Sequence, residues 1–530
     1  MPIVQQGSIN TTALIVPDLY VQIVPPQNLV INGVPTDVLG VVGTASWGPM
    51  NQPAIVATMS DYASQFGPVV ARKFDMGTQV ATAVQQGAQN FRCVRVTDGT
   101  DTAATALIQS PDANDFAMEL TATCSGTLGN QLVASIGPGS QAQTWRLTIS
   151  LPGLQPELFD NIPGTGAQLW ANMVNAVNKG LSLLRGPSQL VTAQPGQGTS
   201  LGGVPVVASY TFSGGTDGAG DVSAATLVGS DVLPRTGLYA LRGQGCSIGL
   251  LADADDPTQW TKQAEFGLSE GVYMILTGPQ SDTIQNAVAT KASAGLDSYA
   301  AKLMFGDWLW WSDATNSAVR LVSPQGFVAG RLANLSPEQS SLNKPLYGVI
   351  GSQKSGNPGS GVTNTYAVAD LQVLIGAGID VITNPQPGGT YWGVRAGHNS
   401  SSDAAINGDN YTRLTNYIAA TLQAGMGVYV GQVINADLFR RIRATQLQFL
   451  QAMLNQGLLG TNPDGSLPFT VVCDASNNPQ SQTALGYVRS DAQVRYQAIN
   501  EKFIVNIEGG QTVQVSKQTL PSGQPQSYQS

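Results

Sequence analysis

From Ile248 to Trp311 the chain alternates short apolar runs with stretches of helical spacing, and this alternation narrows the possible folds more than any other feature. Residues 248–252, 271–276 and 303–311 are strand-like apolar runs, the pattern of a covered sheet, while 257–267 and 281–294 between them read as helices. Strand, helix and strand in succession form βαβ units, which places the chain in the α/β class with a sheet held between helices.

The same texture flanks this stretch. Residues 38–43 read as a buried strand, 60–66 as a short capped helix stopped by Gly67, 76–89 as a helix with Val80, Val84 and Ala88 on one side, and 91–96 as a strand. Asn32-Gly33, between the apolar residues 29–31 and Val34, signals a hairpin, because that pair supplies the positive φ angles of a type I′ turn. Further on, a helix at 368–377 ends at Gly378 before a strand at 379–382, and helices at 410–424 and 436–456 precede a strand at 469–473. Between about 97 and 239 the chain changes to short strands, Gly and Pro turns and one amphipathic helix around 169–184. The expected organisation is an N-terminal arm (1–17), a core in two parts (18–96 and 241–508), a β-rich insertion (97–240) and a C-terminal arm (509–530).

Charge sets a second limit. Only 11% of the 530 residues are charged, while glycine numbers 60. Either the surface is polar and uncharged or neighbouring chains cover much of it. A net charge of −9 with no run of Lys or Arg argues against direct nucleic-acid binding. Cys93, Cys124, Cys246 and Cys473 lie far apart, which fits reduced thiols. The first residues lack a basic segment followed by an apolar one, and no apolar run reaches ~18 residues. The expectation is a soluble protein made in a cytoplasm, with no membrane insertion.

Few constellations point to chemistry. Gly245-Cys-Ser247-Ile-Gly249 matches the spacing of a nucleophile elbow, and His398 lies downstream in hydrolase order. An elbow needs a strand before the serine and a helix after it, whereas here the strand follows, so a surface-loop histidine is the plainer reading. Residues 43–48 have phosphate-loop glycine spacing, but Pro49-Met50 stand where Lys and Ser/Thr belong. Asp253, Asp255 and Asp256 form one acidic loop, which reads more simply as solvated or as a helix start. No cofactor, catalytic or metal site is expected. Arg440, Arg441 and Arg443 do stand out, because on a helix they span about 160° of one side at about 100° per residue. Two readings apply to them: a solvated face, or a docking surface for an acidic partner. Phe439, Ile442, Phe449, Met453 and Leu454 supply apolar faces of the same helix.

Near the end, 492–496, 502–508 and 512–516 read as three short strands. Phe503, Val505 and Ile507 alternate with Ile504 and Asn506, so the middle strand suits burial mainly on one face. Gly509-Gly510 is either the turn of a local hairpin or a hinge that sends Thr512–Ser516 elsewhere.

In order, Pro17-Asp-Leu-Tyr-Val21, Gly40-Val-Val-Gly-Thr-Ala45, Gly48-Pro-Met-Asn-Gln-Pro53, Asp61-Tyr-Ala-Ser-Gln-Phe-Gly67 and Gln89-Asn-Phe-Arg-Cys-Val-Arg-Val96 resemble the sheath proteins of contractile phage tails. The series continues with 120–130, Phe212-Ser-Gly-Gly-Thr-Asp-Gly218, Ala377-Gly-Ile379, Tyr391-Trp-Gly-Val-Arg395, 449–460 and 472–478. Asp18 departs from the family's usual glycine, and the glycine pair common before the last strand of the first block is absent.

The resemblance implies a structural, non-enzymatic subunit of stacked six-membered rings around an inner tail tube, contracting to drive that tube through a host cell envelope. It implies baseplate and tail terminator partners, assembly in a bacterial host cytoplasm and a place in the virion tail sheath. It also implies a mixed-sheet core, an outer insertion and terminal arms exchanged between subunits. Mapped here, Leu19, Tyr20 and Val21 with Thr512, Val513 and Val515 belong to donated strands. Phe503, Val505 and Ile507 belong to an accepting hairpin, and Arg440, Arg441 and Arg443 face the tube.

Overall fold

Consecutive apolar residues at the expected positions do form strands buried on both faces. The structure is a computed structural model that describes residues 31–110, 116–196, 205–361 and 363–507, with the backbone of 3–4 and 21–22. The chain divides into two compact units, 1–497 and 498–530.

The central sheet of the first unit has seven strands in the order Ile379–Asp380, Ala301–Met304, Tyr273–Thr277, Ile248–Leu251, Leu39–Gly43, Phe91–Arg95, Pro53–Val56. All neighbours run parallel except the last, an antiparallel edge strand. Successive side chains point to opposite faces. Leu39, Val41, Ile248, Leu250, Tyr273 and Ile275 therefore pack on one side with helices Met59–Phe66, Met76–Gln85 and Gln325–Ala333. Val42, Leu251, Met274, Leu276 and Leu303 pack on the other with helices Trp260–Glu270, Ile284–Ala294 and Val368–Gly376. This is the mixed α/β fold that the alternation anticipates.

Two antiparallel sheets lie between Ala103 and Thr211. One holds Glu157–Pro163, Thr144–Ser150, Val133–Pro138 and Ala208–Thr211; the other holds Val191–Pro195, Phe116–Ser125 and Ala103–Gln109. Helix Gly166–Lys179 packs with them through Leu169, Trp170, Met173 and Val177, and Trp47 enters the same apolar cluster. Buried Arg95 ties this region to the central sheet by donating to the carbonyls of Gly48 (2.8 Å) and Ser125 (2.7 Å).

Several elements depart from the sequence expectation. The strand expected at 303–311 is two strands in different sheets: Ala301–Met304 joins the central sheet, and Leu309–Asp313 pairs with Ala318–Val322 and Val349–Ser352. Likewise 379–382 divides into Ile379–Asp380 and Ile382–Thr383, which belong to separate sheets. The helix expected at 169–184 stops at Lys179, where Gly180 takes a φ of 82°. Among the described residues Asn32-Gly33 is not a turn, while 29–30 of the expected hairpin lie outside them. Residues 31–36 are irregular there, and a Cβ on Gly33 would stand 1.9 Å from the Tyr417 hydroxyl, so glycine serves close approach rather than a positive φ. Helix Gln325–Ala333 has no counterpart in the sequence reading. Its Gly330 lies so near helix 76–85 that a Cβ would meet the Ala83 Cα at 2.5 Å.

Candidate assembly surfaces

Helix Ala436–Asn455 starts at Asn435, whose side chain accepts from the Leu438 amide at 2.8 Å. Leu438, Ile442, Phe449, Leu450 and Met453 form its buried side, with Phe439 and Leu454 partly buried. Arg440 and Arg443 are exposed and Arg441 partly so. Asp437 meets both Arg440 (3.0 Å) and Arg441 (3.1 Å), and Arg441 also donates to Gln432 (2.7 Å). One carboxylate shared by two arginines leaves this side of the helix cationic, and such exposed pairs add little stability. The Asp474 carboxyl is held below its usual range by hydrogen bonds from Ser476, with Arg443 adding a smaller share.

The helix packs against a two-stranded sheet. Phe469–Val472 pairs antiparallel with Asp491–Val494, Phe469 opposite Val494. Phe469 and Val471 are buried among residues of the two long helices. Residues 502–507 are in no strand, contrary to the sequence expectation, and Phe503, Val505 and Ile507 are 82%, 61% and 88% exposed. Ile504 is 80% exposed as well, so neither side of this segment is covered, and alternation alone does not make a strand without a partner edge. Thr512, Val513 and Val515 lie outside the described residues, as do Leu19 and Tyr20. Val21–Gln22 forms a short strand parallel to Ile3–Val4.

A buried charge network that the sequence reading did not find lies behind helix Asp409–Met426. Lys302 Nζ donates to Asp380 (2.7 Å), Asp409 (3.0 Å) and the His398 carbonyl (3.0 Å), and all three charged side chains are at most 1% exposed. Asp409 also accepts from the Tyr273 hydroxyl (2.7 Å), the Ser341 amide (3.0 Å) and the Ser341 hydroxyl. Asp380 accepts from the amides of Ala396 (3.0 Å), Gly397 (2.8 Å) and His398 (3.2 Å). Burial pushes the Asp409 carboxyl up, but Lys302 and the Ser341 and Tyr273 hydrogen bonds outweigh it and hold the group at about 2. Burial also works against the Lys302 ammonium, and the two aspartates more than offset it. The network joins three neighbouring strands to the start of the helix. The sequence sign was a lone charge inside each apolar run: Lys302 among 300–304 and Asp380 among 379–382.

Two other buried acids behave differently. Burial pushes Asp75 up to about 7 and Asp253 to about 6. Asp75 caps helix 76–85 through Thr78 (2.8 Å), yet its second oxygen has no hydrogen-bond partner and stands 4.0 Å from Arg72. Asp253 accepts from the Phe74 amide and from Gln79, Asp255 pairs with Lys73, and Asp256 caps Pro257–Gln259. The acidic loop is thus spent on structure. Among the described residues no group of three His, Cys, Asp or Glu side chains is placed to hold a metal ion.

Ser247 borders a cavity of about 550 Å³ that Cys246, Glu270, Arg413 and Tyr417 also line; no histidine lines it. The Ser247 hydroxyl donates to the Val38 carbonyl at 3.1 Å, and the strand begins at the next residue. The strand, turn and helix of a nucleophile elbow are therefore absent at Ser247. His398 lies elsewhere, in a loop whose backbone engages Asp380 and Lys302. Among the described residues no helix is long and apolar enough to cross a membrane.

No protein-family model matches the sequence, and no curated protein does. Solved structures do match in fold. A sheath tail protein from Desulfitobacterium hafniense superposes with a TM-score of 0.57 at 14% identity, covering 86% of this chain and 93% of its own. A sheath tail protein from Listeria innocua gives 0.58 at 14% identity, with 84% and 91% covered. The helical sheath of the anti-feeding prophage, in its contracted state, gives 0.52 at 11% identity, with 93% and 99% covered. Each match spans most of both chains, which a shared βαβ motif alone does not produce. The chain has the fold of the sheath tail proteins of contractile injection systems.

Proposed function

We propose that this protein is the structural subunit of a contractile tail sheath. In this reading it polymerises as stacked hexameric rings around an inner tail tube, contracts when a baseplate triggers it, and drives the tube through a host cell envelope. The observation that carries the proposal is fold agreement over 84–93% of the chain with three sheath structures of differing sequence. Residues 97–240 then form the outer insertion domain, and the cationic side of helix 436–455 meets the tube. The sheet of 469–472 and 491–494 and the exposed 503–507 segment fit strand exchange, in which arms from adjoining subunits complete a sheet by strand addition. Each backbone hydrogen bond adds only about 0.5–1.5 kcal/mol net, so repetition over every subunit holds the lattice. The particle is assembled in the bacterial host cytoplasm and ends in the virion tail, with baseplate and terminator proteins at its ends.

Electron microscopy of the purified protein tests this. Long striated tubes are expected, and removal of residues 509–530 leaves folded subunits that form none. Discrete particles with ester-hydrolysing activity lost in Ser247→Ala would support an enzyme instead, and tubes that never shorten would support a passive virion protein.

A further inference from the structure

The segment just before the second unit is held far more firmly than its exposure suggests. Over Arg495, Tyr496 and Gln497 the first unit makes seven hydrogen bonds, one of them from the Arg495 guanidinium to Asn462 (2.9 Å). The Arg495 amide donates to Pro468 (2.7 Å), and the Gly460 amide donates to the Arg495 carbonyl (3.0 Å). The Tyr496 hydroxyl meets Thr415 (3.1 Å). Asn410 donates to the Gln497 carbonyl (2.9 Å), and the Gln497 side chain donates to Gly457 (2.8 Å) and Leu459 (3.0 Å). The Tyr496 ring stands edge-on to Tyr411, which stands edge-on to Tyr299, both at 5.8 Å between centroids. A Cβ on Gly460 would come within 2.8 Å of the Tyr496 carbonyl, so the turn at 457–460 closes tightly over the chain. Beyond this point the character changes: residues 498–507 are in neither helix nor strand, and 501–507 are all exposed.

The residue before Asn410 is Asp409, which Lys302, Tyr273 and Ser341 hold in the buried network. Gln497, Asn410, Asp409 and Lys302 thus form a short path from the last residue of the first unit to strand Ala301–Met304, the second strand of the seven-stranded sheet. Every step in it is a hydrogen bond, an ion pair or a peptide bond. We propose that Arg495–Gln497 is a built-in mechanical anchor, with Asn410 as its positioning residue, that carries tension on the C-terminal arm into the central sheet. The proposal rests on the reading of the second unit as an arm that a neighbouring subunit grips. It explains why a buried, fully paired charge network sits behind the first turn of this helix. An ion pair with complete hydrogen bonding is stiff, and breaking it exposes uncompensated charge.

The test applies force to single full-length subunits, so it does not depend on whether sheaths form. Handles are inserted at Ser182, in the exposed turn after helix 166–179, and after Ser530, and the chain is pulled. Asn410→Ala is expected to lower the mean force of the first release by roughly a seventh or more, as loss of one of the seven bonds implies. Ser341→Ala, which weakens the network behind Asn410, is expected to lower it less. When the same Asn410→Ala protein is pulled between Ser182 and Gly359, the force is expected to match wild type, which separates an anchor from general weakening. Hydrogen exchange at the Arg495 amide is expected to quicken up to ~10-fold in Asn410→Ala while the main thermal transition stays in place. An unchanged first-release force in Asn410→Ala, or an equal drop along both pulling axes, overturns the proposal. Failure of the subunit to form tubes would count only against the sheath reading.

Discussion

The seven-stranded sheet and the two-stranded sheet of 469–472 and 491–494 use the same backbone hydrogen bonds, yet they differ in what covers them. In the first, Leu39–Gly43 is buried at every residue and lies between two apolar clusters. In the second, Phe469 and Val471 are buried while Thr470 and Val472 are exposed, and Ala492 and Gln493 are exposed on the partner strand. A sheet covered on both faces is complete within the subunit. Two strands covered on one face, with no further strand paired to either edge among the described residues, are marginal alone and suited to accept more chain.

The strongest way to break the covered region is to unpair its charges. Lys302→Met leaves Asp380 and Asp409 buried without their cation and is expected to cost about 3–5 kcal/mol in a denaturant titration. A loss below ~1 kcal/mol would show that the network adds little to the sheet.

The next effect depends on pH. Asp75 titrates at about 7 when folded, above its ordinary 3.8, so the folded state holds that proton more tightly. Its contribution is fully present below about pH 4 and is lost as pH rises through 7. Asp253, at about 6, acts in the same direction, whereas Asp409, at about 2, stabilises above pH 4 and loses that contribution as pH falls towards 2. Asp75→Asn keeps an acceptor for Thr78 and is expected to stabilise the subunit by ~1–3 kcal/mol at pH 8 and not at pH 4. Thermal melts at the two pH values decide this, and an equal effect at both would remove burial of the carboxylate as the cause.

The elements legible in sequence are those whose pattern reports their surroundings. Residues 248–252 are apolar because both faces of the strand are covered, and helix 436–455 shows its period because one side is wet. Helix Gln325–Ala333 is buried nearly all round, with Gly326 and Gly330 against helix 76–85, so it has no polar face to mark a period. The break between Met304 and Leu309 was hidden for a related reason: Phe305 and Trp308 are also apolar and buried, although the chain leaves one sheet there and enters another. The Lys302 network joins residues 78 and 107 positions apart, and no local spacing encodes it. Of the candidate site, the arginine side and the alternation at 503–507 could be read from sequence. That 503–507 stays unpaired in the subunit could not, because pairing depends on an edge elsewhere.

Smaller effects on the subunit test the outer surface. Charge reversal of Arg440, Arg441 and Arg443 to Glu is expected to change stability by no more than ~0.5 kcal/mol, since the pairs with Asp437 are exposed. Under the sheath reading, the same protein fails to assemble on its tube. Normal assembly, seen by electron microscopy, would remove this helix as the tube contact.

The smallest expected effect on the subunit is also the sharpest test of the comparison. Phe503 and Ile507 are 82% and 88% exposed, so replacing both with Ser removes almost no burial and should leave the melting temperature of the isolated subunit unchanged. If a neighbour's sheet covers them in the assembly, each buries an apolar side chain there, worth about 1.5–3 kcal/mol per residue. Repeated at every subunit contact, that loss should prevent long tubes while the subunits stay folded. A measurable drop in subunit stability would mean that these residues already pack within one chain. Tubes of normal length would mean that nothing covers them in the assembly. Either result would erase the distinction between a region finished by its own chain and one completed by its neighbours.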